Sequence, residues 1–248
     1  MKRILLVVAY DGTNYCGWQV QPNGITVQEV LNQKLSELLG ENIETIGASR
    51  TDAGVHALGN VAVFDTETRI PGEKISYALN QRLPDDIRIQ ESREVPPDFH
   101  PRYQESEKTY VYRILNRRFQ IPTARLYSYF YHYDLNTELM QQAADYLLGE
   151  HDFASFCGAG AQVKTTVRTV TGITVTREGD EITITVKGRG FLYNMVRIIS
   201  GTLIEIGGGL YPPEKMKDIL EAKKRTEAGP TAPAHGLTLV GIRFLNEA

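Results

Sequence analysis

The feature that most restricts this chain is a change of hydrophobic period that occurs twice in the same order. Lys2–Tyr10 is apolar and β-branched through its middle, as a buried strand is, and Asp11-Gly12 closes it with a turn. Residues 26–29 read Thr-Val-Gln-Glu. That is a capping box, in which Thr26 accepts from the Glu29 amide while the Glu29 side chain reaches back. The helix it opens carries Val27, Val30, Leu31, Leu35 and Leu38 on one face, and Gly40 stops it. Ile43–Ala48 and Asn60–Phe64 read as strands, with the polar, Gly-rich stretch between them as a loop. A helix near Gly72–Arg82 ends before Pro84.

Beyond Glu105 the theme returns. Thr109–Leu115 alternates as a strand. Asn136 can cap a helix that turns Leu139, Met140, Ala143 and Leu147 inward, with Gly149 past its end. Val167–Thr176 and Glu181–Lys187 form a hairpin around Gly179-Asp180. A helix is expected from near Gly190 through Phe191, Met195, Ile199, Leu203 and Ile206 to the glycines at 207–209. A short helix at Pro213–Lys223, a loop at Thr226–Gly236 and a strand at Leu237–Phe244 complete the pattern. A β-α-β-β-α order, met twice, fits an α+β fold with antiparallel sheets better than alternating βαβ units. The expected domains are 1–104 and 105–248.

With 248 residues, 42% of them hydrophobic, the chain can bury a core without staples. No run of about 18 apolar residues exists, so no membrane span is expected. The apolar N-terminal stretch is too short for a signal segment and runs into a polar turn. Cys16 and Cys157 form no CxxC pair and no zinc-type cluster. A reduced, cytoplasmic thiol pair is the favoured reading, with a single disulfide as the alternative.

The net charge of −3 argues against a generic nucleic-acid binder. The charges are nevertheless segregated. Arg102, Lys108, Arg113, Arg117, Arg118 and Arg125 stand against only Glu105 and Glu107, whereas 134–152 holds five acids and no Lys or Arg. Such segregation can build a basic face, although ordinary solvated surface explains it equally.

The chain lacks GxxxxGK[ST], GxGxxG after a strand, GxSxG and HExxH. Chemistry without ATP, dinucleotide or metal is therefore expected, run by carboxylate, arginine and aromatic groups. The segment that holds them is Gly47–Ala57, GASRTDAGVHA, with Arg50, Asp52 and His56 among small neighbours that allow a close approach. Taken alone, Asp52 could simply close an Asx-type turn with Arg50 in solvent. Asp52 and His56 could be metal ligands, but two without a third is a weak set, and a locally hydrogen-bonded His is the plainer reading.

Joined to other segments, this stretch resembles the tRNA pseudouridine synthase A family. The matching segments are SRTDAGVHA at Ser49–Ala57, FHPRYQESEKTYVYRI at Phe99–Ile114, GRGFLYNMVR at Gly188–Arg197 and HGLTL at His235–Leu239. YDGTNYCGWQVQP at Tyr10–Pro22 and HDFASF at His151–Phe156 match as well. They run in order over nearly the whole chain. Ser49 departs from the glycine usual in the family, and Val63 from the His that some members have.

The resemblance implies isomerisation of uridine to pseudouridine in tRNA, in the anticodon arm at positions 38 to 40. It further implies two RNA-recognition-like, ferredoxin-like halves with the active-site cleft between them, a homodimer, and no cofactor. Asp52 takes the place of the catalytic carboxylate, a group that can attack a sugar carbon or stabilise positive charge there, as in glycosidases. Arg197 corresponds to the arginine that holds this carboxylate ionised. Tyr110 corresponds to the tyrosine that packs on the target base, chosen over Tyr112 by motif alignment alone. Arg50 is expected to hold the flipped nucleotide or to fill the gap it leaves in the stack, and Leu237 to pack on the far face of the base. For each there is a plainer alternative: surface helix for Arg197, core for Tyr110 and Leu237. The basic residues of 102–125 become candidates for phosphate contacts. Two rival functions are a non-catalytic RNA-binding module, which would not need Asp52, and a metal-dependent hydrolase built on Asp52 and His56.

Overall fold

A computed structural model describes residues 1–161 and 163–245. The chain is an α+β protein of two compact units. The first comprises Met1–Ser106 and the final strand from Leu239; the second is Glu107–Thr238. The linear boundary expected at 104/105 falls close to the first crossing. It cannot represent the second, where the chain returns to the first unit through its last strand.

In the first unit, the strands β1 (Lys2–Tyr10), β3 (His56–Thr66), β4 (Ile87–Val95) and β10 (Leu237–Phe244, from Leu239) run in the order β4-β1-β3-β10, with the two-residue β2 (Ile46–Gly47) on β3. β1 pairs antiparallel with both neighbours. Ile4, Leu6 and Val8 alternate on one face of β1, and all three are fully buried. The helices are α1 (Val27–Leu39) and α2 (Gly72–Asn80), which bury Leu31, Leu35, Ile75 and Leu79 completely. Each such side chain contributes about 1.5–3 kcal/mol. The expected capping box is present: Thr26 Oγ1 accepts from Glu29 N at 3.3 Å, and Glu29 Oε2 accepts from Thr26 N at 3.4 Å. Leu5 on the other face of β1 packs with Ala48, Val61, Val63, Val95 and Phe99.

Two expectations in this unit change. Ile43–Ala48 is mostly irregular, with only Ile46 and Gly47 paired to β3. β3 begins four residues earlier than Asn60, at His56, because a register shift near Leu58 and Gly59 lets the strand continue through residues that look loop-like. β4 was not legible in the sequence. Asn80 bonds its edge, donating Nδ2 to Ile89 O and accepting from Ile89 N, both at 2.8 Å.

In the second unit, β5 (Ser106–Asn116), β7 (Gly149–Asp152), β8 (Val167–Glu178) and β9 (Glu181–Arg189) run in the order β5-β9-β8-β7, with the short β6 (Tyr129–Tyr131) parallel to β5. The β8–β9 hairpin turns at Gly179-Asp180 as expected. α3 (Thr137–Asp145) starts where Asn136 Oδ1 accepts from Glu138 N and Leu139 N. α4 spans Met195–Gly207 and α5 Lys215–Ala222. The helix expected from Gly190 does not begin there. Gly190 and Asn194 have φ of +79° and +60°, and a right-handed helix cannot pass through left-handed residues, so α4 starts at Met195.

Candidate active site

The Asp52 loop is held from behind by the Tyr10–Trp18 segment. Tyr10 OH and Thr51 Oγ1 are 2.7 Å apart and buried. Trp18 N donates to Thr51 O at 3.1 Å, and Gly54 N donates to Tyr15 O at 3.3 Å. Asn60 Nδ2 donates to Ser49 O at 3.0 Å. Val55 N donates to Asp52 O at 3.1 Å, closing a turn around Ala53 and Gly54. Gly17 makes this approach possible, since a Cβ there would stand 2.5 Å from Thr51 O, and its φ is +85°. Ser49, Thr51 and Val55 are buried, Asp52 is half-buried and Arg50 is exposed. The turn thus buries its flanks and leaves the carboxylate at the surface on a rigid base.

His56 is part of that base. Its Nδ1 accepts a hydrogen bond from Gly12 N at 3.0 Å. Asp11 Oδ1 approaches the same nitrogen at 3.1 Å. Among the described residues, no group of three His, Cys, Asp or Glu could hold a metal ion. Cys16 and Cys157 are both free.

The second unit carries Tyr110, Arg197 and Leu237. Tyr112 lies on the same face of β5 as Tyr110, but the two differ in surroundings. Tyr112 is fully buried, and its hydroxyl donates to Pro233 O at 2.9 Å. Burial pushes its phenol far above the usual range, with Tyr129 adding to the shift and Arg197 opposing it. That ring is a support for the loop before Leu237. Tyr110 is nearer the surface and meets Phe191 edge-on, centroids 5.2 Å apart. Arg197 lies in the first turn of α4, half-buried. Its Nε donates to Ala232 O at 2.8 Å and its Nη1 to Asn194 Oδ1 at 2.9 Å. Two bonds from one planar group fix its orientation. Leu237 is buried at the start of β10.

The pattern described as "tRNA pseudouridine synthase" matches residues 6–104 and 143–245. The chain belongs to the tRNA pseudouridine synthase family. Curated relatives named "tRNA pseudouridine synthase A" cover it end to end. The one from Thermoanaerobacter sp. (strain X514) is 51% identical over 244 residues, 98% of this chain and 100% of the relative. That from Acetivibrio thermocellus is 49% identical over the same shares, and that from Brevibacillus brevis 48% over 96% and 98%. This enzyme is accordingly an isomerase that forms pseudouridine in tRNA. No helix among the described residues is long and apolar enough to cross a membrane.

Within this synthase the motifs divide by physical task. Tyr10–Trp18 supports the Asp52 loop. HDFASF is tied into the second unit: Asp152 accepts from Ala154 N and Thr166 Oγ1 and pairs with Lys223 at 3.1 Å, while buried Ser155 donates to Ile219 O at 2.6 Å. The basic run is less free than its composition implies. Arg117 pairs with Asp180 at 3.2 Å, Arg113 stands 3.7 Å from Glu181, and Arg118 lies over the Phe119 ring. The sequence suggested a hydrogen-bonded His56 but not its partner, Gly12 N, 44 residues away, and it did not show the supporting roles of Tyr10 and Asn60.

Proposed function

We propose that the enzyme isomerises uridines of the anticodon arm, at positions 38 to 40, with Asp52 as the catalytic carboxylate. The observation that carries this is the loop itself: its flanks are buried and pinned, and a half-buried carboxylate stands at its tip. The reaction balances without a co-substrate. The N1–C1′ bond breaks, a C5–C1′ bond forms, the proton on C5 leaves and N1 gains one. A carboxylate at the sugar offsets positive charge as the glycosidic bond lengthens. Arg197 is assigned to the same reaction as a cation that favours an ionised carboxylate. Tyr110 stacks on the base, and its hydroxyl can relay the C5 proton. Arg50 holds the flipped nucleotide, and Leu237 packs on the other side of the base. The enzyme works in the cytoplasm as a homodimer.

The test is tritium release from tRNA labelled at uracil C5, with EDTA present, alongside mapping of the product position. Asp52→Asn is expected to lose at least roughly a thousandfold in rate while still binding tRNA. Equal release from both proteins would remove Asp52 from the chemistry.

A further inference from the structure

Residues 99–104 fold into a tight turn tied to the strand that leads into the Asp52 loop. Tyr103 N and Gln104 N both donate to His100 O, at 3.0 and 3.2 Å. Arg102 N donates to His100 Nδ1 at 3.3 Å. Arg102 Nε donates to Gly47 O at 2.8 Å, which binds the turn to β2 just before Ser49 and Arg50.

This turn presents two features that folding does not require. Tyr103 is 84% exposed, yet its ring is stacked on His100, centroids 4.1 Å apart and planes 21° from parallel. A ring ordered in advance but left open to solvent loses little entropy on meeting a second flat group. The other feature is a pair of like charges. Burial and then the nearby Arg50 cation hold the Arg102 guanidinium below its usual range. The Arg102 bond to Gly47 O seats this guanidinium on the segment that runs directly into Arg50, so one anion can offset both charges.

We propose that Arg50, Arg102 and Tyr103 form an RNA subsite beside the Asp52 loop. The two guanidinium groups clamp one backbone phosphate, and the Tyr103 ring stacks an unpaired base of the same tRNA. The subsite deepens the reading of the Asp52 loop as the place of chemistry, because it holds the strand that flanks the target uridine. Phosphate contacts position without reading sequence, and ring stacking tolerates any base, so the subsite fits a family of tRNAs with different sequences.

The experiment measures the Kd of an unmodified tRNA transcript over a salt series, and KM and kcat by tritium release, for wild type, Tyr103→Ala, Tyr103→Phe and Arg102→Gln. Tyr103→Ala is expected to raise Kd and KM roughly tenfold, more than it lowers kcat, with the salt slope kept. Tyr103→Phe stays within about twofold of wild type, since the stacking face remains. Arg102→Gln lowers the salt slope by about one. Tyr103→Ala with wild-type Kd and KM, or Arg102→Gln with a wild-type slope, would overturn the subsite. Should Arg102→Gln fail to fold, the exposed Tyr103 pair decides alone. Product mapping with the wild type tests the anticodon-arm reading separately: a product elsewhere removes that reading and leaves the Kd comparison to judge the subsite.

Discussion

The hydroxyls of Tyr10 and Thr51 lie 2.7 Å apart, both side chains closed to solvent, one at the end of β1 and the other beside Asp52. Tyr10→Phe keeps the ring and deletes the oxygen, leaving the Thr51 hydroxyl buried without it. The expected cost is about 1–3 kcal/mol in denaturant unfolding. The rate of tritium release should fall by a larger factor than tRNA affinity, because the affected group is next to the carboxylate. Unchanged stability and rate would show that the loop does not depend on this bond.

Gly17→Ala attacks the same support from the backbone side. The new Cβ would meet Thr51 O at 2.5 Å, and φ of +85° disfavours any L side chain. The left-handed conformation alone costs about 1–2 kcal/mol, and the clash adds to it. A melting temperature equal to wild type would contradict the packing described.

Arg197→Lys retains the positive charge but loses the planar fork that bonds Ala232 O and Asn194 Oδ1. The expected outcome is a fall in kcat on the order of a hundredfold with tRNA Kd little changed. A kcat within twofold of wild type would reduce Arg197 to a structural residue.

Acid stability should depend on Asp65. The Arg3 guanidinium, bonded to it at 2.7 and 2.6 Å, holds its carboxyl below the usual carboxylate range. A carboxylate whose folded pKa is depressed contributes stability above its unfolded pKa and loses it as pH falls through the folded one. Unfolding free energy should therefore decline in the acid range, and Asp65→Asn should flatten that decline. Identical acid limbs in the two proteins would show the pair to be energetically silent.

What the sequence determined by itself were features whose energy is contained within a few residues. The Thr26–Glu29 capping box, the Asn136 cap and the Gly179-Asp180 turn are each satisfied by neighbours in the chain, so their residue types announce them. The family motifs were legible in the same way. Features that depend on a partner strand were decided by the tertiary structure. β4 pairs Glu91 with Val7 and Ile89 with Val8, leaving Gln90 over; the bulge shifts burial from Ile87 and Ile89 to Ser92 and Val95 and breaks the alternation a reader looks for. Ala57 belongs to β3 because Tyr10 of β1 is there to pair with it, not because HALG favours a strand. Tyr110 and Tyr112 share a parity, and it is the Pro233 carbonyl over one hydroxyl, the Phe191 ring against the other phenol and their burial that tell them apart. Local bonds can be read from neighbours in the chain, whereas burial, pairing and the setting of a side chain are properties of residues that sequence keeps far apart.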